Sequence, residues 1–299
     1  MVNDRSTDNS AEVLKRFKMQ YPNLTVIENR GNPNYAGKKQ ALLLGLEAAK
    51  NDFFILTDAD CAPKSDQWLS SMASGFNSKS ILLGVSPYNF ATSLAGRLTQ
   101  WETLLTAQHY LSFALAGMPY MGVGRNMGYT RALFEASDKF QSHLHIPSGD
   151  DDLFVSQMAT SKNTGIQIQP ESLTWSEGPK DFETWWRQKR RHLSTSSSYK
   201  ALPSILLGSF GLAQLVFYTA VIPVCIYGVL QSNEVVFHLV WILILGKFVV
   251  QAISVHNVTR RLQQKAKLGF FPLWEFLVVV FLAIIHIQNK LAGRPKSWS

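Results

Sequence analysis

Phe53-Phe54-Ile55-Leu56-Thr57-Asp58-Ala59-Asp60-Cys61-Ala62-Pro63 is the stretch on which the reading of this chain turns. Its apolar start running into acids reads as a short buried strand of the parallel kind, which presents side chains at its carboxyl end. Asp58 and Asp60, one residue apart at that end, can converge on one hard divalent cation, Mg²⁺ or Mn²⁺, that keeps its other positions for phosphate oxygens and water. Such an ion would screen a diphosphate and stabilise the charge that builds as it leaves. The competing reading is a surface turn with two solvated acids.

Upstream, residues 24–28 form a strand pattern, 29–34 a polar turn, and 37–50 a helical pattern with Leu42, Leu46 and Ala49 on one face. Strand, helix, strand in this order predicts an α/β fold. At the start, Asp8 or Ser10 is placed to cap a helix, and Asn3, Asp4, Ser6 and Thr7 have the side chains of a turn that leaves a strand. That strand is absent or reduced to its last residue, so the chain is expected to begin inside its domain.

Downstream of the acidic turn lie three further features. Residues 117–131 pack glycines into a stretch of low charge; Gly122 and Gly124 permit close backbone approach, with Asn126 and Tyr129 as polar edges beside it, or the stretch is an irregular loop. Gly149-Asp150-Asp151-Asp152-Leu153 puts three mutually repelling carboxylates before a helical pattern, where they cap the helix or face a cation or proton donor. In the second case one of them is a general base. Trp185-Trp186-Arg187-Gln188-Lys189-Arg190-Arg191-His192 reads as an interfacial helix, or as the place where Arg191 or a neighbour neutralises a leaving diphosphate, and the two are compatible.

The 299 residues are 46% hydrophobic, an ordinary figure, but the distribution is uneven. Lys247 is the one Lys, Arg, Asp or Glu between 201 and 258 apart from Glu234, which excludes a wholly soluble protein. Spans are expected at about 203–230, 235–255 and 270–287, each a buried helix in the competing reading, with Pro223 bending the first and Lys247 packed against it or snorkelling. Residues 1–200 carry a net charge of +2 and 201–299 a net of +6, so the basic excess sits at the ends of apolar segments and nucleic acid is not an expected partner. Cys61 and Cys225 fall in the polar and apolar parts, which argues against a disulfide framework.

Read in order, these elements resemble the membrane-bound glycosyltransferases of family 2, the group of the cellulose, chitin, hyaluronan and poly-N-acetylglucosamine synthases. The resemblance implies a GT-A α/β domain over residues 1–200, followed by a transmembrane region over 201–299. It implies nucleotide contact through Asp4, with Asn3 in place of a second acid, and donor and metal binding at Asp58 and Asp60. Acceptor contacts would come from Gly122, Gly124, Asn126, Tyr129, Asp150 and His192. Asp151 would be the base, Gln188 and Arg191 would hold the donor, and the family's first strand would lie before residue 1. His192 stands where polymer-making members carry tryptophan, which favours single transfer to a membrane lipid over processive synthesis. The implied reaction is direct inverting transfer from a UDP-sugar to a lipid or glycan acceptor at the cytoplasmic membrane face, with Mg²⁺ or Mn²⁺. A non-catalytic membrane scaffold that kept the fold is the alternative, and the presence of all three acids counts against it. Asp150 is expected to cap or orient the helix after it. Asp152 is expected to face solvent or to pair with a base such as Arg190, so that its replacement matters little. Cytoplasmic placement of the domain puts 231–234 outside and the basic loop 256–269 inside. A third full span would then export Lys290, Arg294 and Lys296, so 270–287 either exports that tail or is interfacial or re-entrant.

Overall fold

The computed structural model describes residues 1–32, 34–35, 37–89, 92–230, 234–263 and 270–293. In chain order the first half comprises β1 (Val2–Asn3), α1 (Ser10–Gln20), β2 (Ile27–Glu28), α2 (Lys39–Ala48), β3 (Phe53–Leu56), β4 (Cys61–Pro63), α3 (Trp68–Ser74), β5 (Ile81–Leu83) and α4 (Leu94–Leu115). Then come β6 (Met127–Thr130), α5 (Arg131–Glu135), α6 (Asp152–Met158), β7 (Thr164–Ile166), β8 (Thr174–Ser176), α7 (Phe182–Leu193), α8 (Ala201–Leu230), α9 (Glu234–Arg261) and α10 (Phe271–Leu291). The central sheet has the order β3-β6-β5-β7, while β1 pairs with β2 and β4 with β8. An α/β domain followed by long apolar helices is therefore the architecture.

β5 is apolar at every position and fully buried, as a central strand covered on both faces must be. β3 departs from expectation. It pairs antiparallel with β6, and Phe53 is 54% exposed, so it is not the buried parallel strand its composition predicts. A four-residue apolar run carries no information about the direction of its partner, which arrives more than seventy positions later. Asp58 and Asp60 still follow the last strand residue.

α4 buries Leu98, Trp101 and Leu104 completely and packs on α7, α9 and α10. Three helices, α8, α9 and α10, are long and apolar enough to cross a membrane. α8 continues through Pro223. Lys247 neither snorkels nor rests on α8 alone: it pairs with Glu275 of α10, a carboxylate 1% exposed. Glu275 also accepts hydrogen bonds from Gln214 and Tyr218 of α8 and from Gln251 of α9. A charge among apolar helices persists only when paired and hydrogen-bonded, and here donors from two helices converge on one carboxylate of the third. Residues 231–233, residues 264–269 of the basic loop with Lys265 and Lys267, and Arg294 and Lys296 lie outside the described residues.

α10 is also bound end to end to the first domain. Phe271 stacks on Trp101 and Trp274 lies under Arg97, both on α4. Phe281 packs on Trp185 and Trp186, Trp186 Nε1 donates to Gln288 Oε1 at 2.9 Å, and Arg190 Nε donates to Asn289 Oδ1 at 3.0 Å, all on α7. Its far side exposes Leu273, Phe276, Ile284, Ile287 and Leu291, separated by three, eight, three and four residues and so by whole numbers of turns to within a residue.

Candidate active site

The first residues to place the site are ones the motifs did not single out. Lys38 is the N-cap of α2 and Lys39 its first residue. Two cations at a helix N-terminus oppose the macrodipole, so something other than helix stability holds them there, and this is the signal the sequence offered. Lys38 Nζ lies 2.6 Å from Asp58 Oδ1 and 3.2 Å from Asp150 Oδ2, joining the two acidic clusters across one cleft. Lys39 is fully buried; its Nζ donates to the carbonyls of Ile146 and, at 2.6 Å, Ser148, which fixes the loop entering the second cluster. Burial pulls its amine below the ordinary lysine range. Replacing Lys39 with Met leaves two carbonyls without their donor, each worth about 1–3 kcal/mol if buried and unsatisfied. Lys39→Met is accordingly expected to lower the unfolding midpoint clearly, read by thermal denaturation of the detergent-solubilised protein; an unchanged midpoint would show that the loop is held by other means.

Gly149 has φ +100°, and a Cβ there would lie 2.5 Å from Leu153 Cδ1, so only glycine turns the chain into the acids at this point. The three carboxylates then separate. Asp150 is 3% exposed and faces Lys38, so it neither caps the helix nor meets an acceptor. The N-cap of α6 is Asp151, whose Oδ1 accepts from the Asp152 N–H at 2.8 Å and whose Oδ2 accepts from the Gly124 N–H at 2.7 Å. It is half-buried. Burial first, then repulsion from Asp150 and Asp152, push its carboxyl up to about 7, against the pull of Lys38 and the Gly124 N–H. Asp152 contradicts its expected place in solvent or beside Arg190. It is 7% exposed and accepts from Thr195 Oγ1 at 2.5 Å, Tyr199 OH at 2.6 Å and the Leu153 N–H at 2.8 Å. Burial raises this carboxyl too, and those hydroxyls oppose the rise.

Most of the glycine-rich segment turns out to be scaffold. Asn126 is fully buried; its Oδ1 accepts from Trp68 Nε1 at 3.1 Å, and its Nδ2 donates to the carbonyls of Val85 and Ser172 at 2.8 and 2.7 Å. Tyr129, also fully buried, stacks with Phe134 and packs on Phe154. Neither can offer a polar edge to an acceptor. At Gly122 a Cβ would press on Leu83 and Val155, so this glycine serves packing. Gly124 lies against Asp151: a Cβ would sit 3.2 Å from its Oδ2. Arg125, which the sequence reading passed over, stacks its guanidinium 4.1 Å from the Tyr88 ring centre and donates to Ser176 Oγ at 3.1 Å.

α7 forms the opposite wall. Asp181 caps it by accepting from the Thr184 N–H at 2.7 Å, and Trp185 and Lys189, one turn apart, are buried. That orientation puts Gln188, Arg191 and His192 together on another face. Gln188 Nε2 donates to Tyr88 OH at 3.4 Å and Arg191 Nη1 to Ser148 Oγ at 3.3 Å, which brings Arg191 to the loop that carries Asp151. His192 is exposed to water. Partial desolvation first, then Lys189 and Arg191, hold its ring well below the usual imidazole range. Asp4, at the end of β1, accepts from Asn29 Nδ2 at 2.7 Å and from Arg5 Nε at 3.1 Å.

Whether Asp58 and Asp60 suit a metal is a question of donor chemistry. Among the described residues no group of three or more His, Cys, Asp or Glu side chains could hold an ion. Asp60 is exposed and Asp58 partly so, offering an open pair of oxygen donors with Lys38 already on one of them. That set fits a hard cation completing its shell with diphosphate oxygens and water, and does not fit a closed structural site.

The sheet, the acid-tipped β3 and the α7 wall form an α/β domain of GT-A-like fold. Residues 1–137 match the family described as Glycosyl transferase family 2. The matched segment contains Asp58 and Asp60 and ends before Asp150. Over 201 residues the chain is 24% identical to the "Probable glycosyltransferase YdaM" of Bacillus subtilis (strain 168), covering 64% of this chain and 46% of that protein. The chain thus spans about half the length of this curated relative. Its fold is similar to that of the "Mannosyltransferase PcManGT from Pyrobaculum calidifontis in complex with GDP-Man and Mn2+", with a TM-score of 0.59 and 15% identity over 98% of this chain and 77% of that one. A more distant likeness joins it to S. aureus TarS 1-349, with a TM-score of 0.43 and 14% identity over 97% of this chain and 81% of that one.

Proposed function

We propose that this protein is an inverting glycosyltransferase, with residues 1–200 as its catalytic part and 201–299 as its membrane part, that moves a sugar from a UDP-sugar to a hydroxyl of a lipid or glycan acceptor. The observation that carries the reading is Lys38 spanning Asp58 and Asp150, with Asp151 and Arg191 at the same loop. One cleft thereby offers a diphosphate end and a proton-accepting end. Asp151 would take the acceptor hydroxyl proton as the oxygen bonds to the anomeric carbon. The bond from that carbon to the diphosphate oxygen breaks on the opposite face, and UDP leaves with the electron pair. Arg191, Lys38 and the backbone they fix would meet the charge of the departing diphosphate. A Mg²⁺ or Mn²⁺ held by Asp58 and Asp60 would screen the same charge.

A carboxyl pushed up to about 7 suits this task, being substantially ionised at working pH yet basic enough to accept a proton. His192 at the rim favours single transfer. The test is a screen of radiolabelled UDP-sugars, with GDP-mannose beside them, against membranes containing the protein. No transfer from any nucleotide sugar would favour the scaffold alternative.

The protein is proposed to be a multi-pass membrane protein with its catalytic part cytoplasmic. α8 and α9 would span the membrane and α10 would lie along its surface. A helix of α10's length rises about 31 Å, roughly one hydrocarbon thickness, so a spanning α10 would carry Gln288 and Asn289 away from the α7 side chains that bind them. The exposed apolar stripe of α10 is then the face that meets lipid. A cysteine placed at Lys290, with Cys61 and Cys225 changed to Ser, is expected to react with an impermeant maleimide from the side of the catalytic domain. Labelling from the opposite side would make α10 a third span.

A further inference from the structure

Asp152 has no part in the proposed chemistry, yet its carboxylate is the most fully partnered acid near the cleft. It opens α6, directly after Asp151, and its backbone N–H is one of the two donors that hold Asp151. Its own Oδ2 takes both the Thr195 hydroxyl, a residue with no exposure, and the Tyr199 hydroxyl. Thr195 follows the end of α7 and also donates to the carbonyl of His192 at 2.9 Å; Tyr199 stands two positions before α8. Tyr199 is itself packed edge-on against Tyr120, ring centres 5.5 Å apart. Burying a carboxylate is costly unless its lone pairs are met, and an apolar residue would fill such a place without that cost. The charge is therefore retained at a point where it joins three segments.

We propose that Asp152 is a positioning residue for Asp151: its carboxylate fastens the first turn of α6 to the junction between α7 and α8, and so aims the neighbouring carboxylate into the cleft at a fixed distance from Arg191. The proposal rests on the reading of Asp151 as the base. It makes the base's position depend on the chain that enters the membrane, since Thr195 and Tyr199 bracket that entry.

Two effects follow from one contact. Loosening the turn misplaces the base, and misplacement by about 1 Å costs on the order of 10² in rate. Removing the Asp152 charge also relieves repulsion on Asp151. The other groups facing Asp151 are Asp150 on its own segment, Lys38 and Lys39 on α2, Tyr129 on β6 and Arg191 on α7, and none of them changes.

The experiment uses the full chain in membranes with the UDP-sugar identified by the screen above, measuring kcat, donor KM and the pH dependence of kcat. Asp152→Asn is expected to lower plateau kcat about 10-fold or more, with donor KM unchanged, and to move the acid limb about 0.5 pH unit or more to lower pH. Tyr199→Phe keeps the ring against Tyr120 and the Asp152 carboxyl, and should lower kcat to a smaller degree with donor KM unchanged. A role in stability alone lowers the amount of folded protein and leaves the limb where it was. Folded Asp152→Asn with kcat and limb unchanged overturns the proposal, and so does an effect confined to donor KM. Should Asp152→Asn fail to fold, Tyr199→Phe and Thr195→Val decide by kcat against donor KM: a lowered kcat with donor KM unchanged supports the proposal, and an unchanged kcat overturns it. Undiminished turnover in Asp151→Asn would instead refute the base assignment itself, so the two failures are told apart.

Discussion

Asp151→Asn is expected to bind UDP-sugar as the parent does and to transfer the sugar more slowly by a factor on the order of 10² or more. The substitution removes the proton acceptor with almost no change in size, and the amide oxygen can keep the 2.7 Å bond from the Gly124 N–H. In the parent, kcat should rise with pH through an apparent pKa near 7, because the carboxyl pushed up to about 7 must lose its proton to act. That limb should vanish from the residual activity of the variant. Stability follows the opposite sign. A carboxyl raised in the folded state stabilises the fold below its unfolded value of about 4 and loses that contribution as pH climbs through 7. The unfolding midpoint of the parent, measured against that of Asp151→Asn, should accordingly worsen between pH 5 and pH 8. Near-normal turnover in Asp151→Asn, with loss in Asp150→Asn and donor binding intact, would move the base by one residue.

The second large effect is at the diphosphate end. Asp60→Asn is expected to abolish transfer and to abolish Mg²⁺- or Mn²⁺-dependent UDP binding, while the protein stays folded in membranes. Asp60 is exposed and accepts from the thiol of Cys61 at 3.6 Å, so its loss leaves no buried group unpaired. Asp58 differs, because removing it also takes away one of the two carboxylates that Lys38 joins. Asp58→Asn should therefore lose metal-dependent binding and some stability together, whereas Asp60→Asn should lose the first alone. Isothermal titration of UDP with and without Mn²⁺ separates the two. Unchanged metal-dependent binding in Asp60→Asn would remove the ion from this pair.

The α/β class, the acid-tipped strand, the second acidic cluster and the apolar helices were determined by sequence alone, because each is local: a period, a run, or a spacing of side chains along one element. Tertiary structure decided whatever depends on which distant segment comes alongside. β3 became antiparallel because β6 supplies its partner, and Asn126 and Tyr129 were withdrawn from the cleft because the core closes over them. Adjacent acids that look equivalent in a row of three were given three environments: Lys38 for Asp150, the Gly124 N–H for Asp151, and the Thr195 and Tyr199 hydroxyls for Asp152. Lys38 left only the faint trace of a cation at the wrong end of a helix dipole. Lys247 and Glu275, 28 positions apart on different helices, show the limit most plainly. Each is an isolated charge in an apolar stretch, and what makes both tolerable in a low-dielectric setting is a contact that exists only once the helices pack.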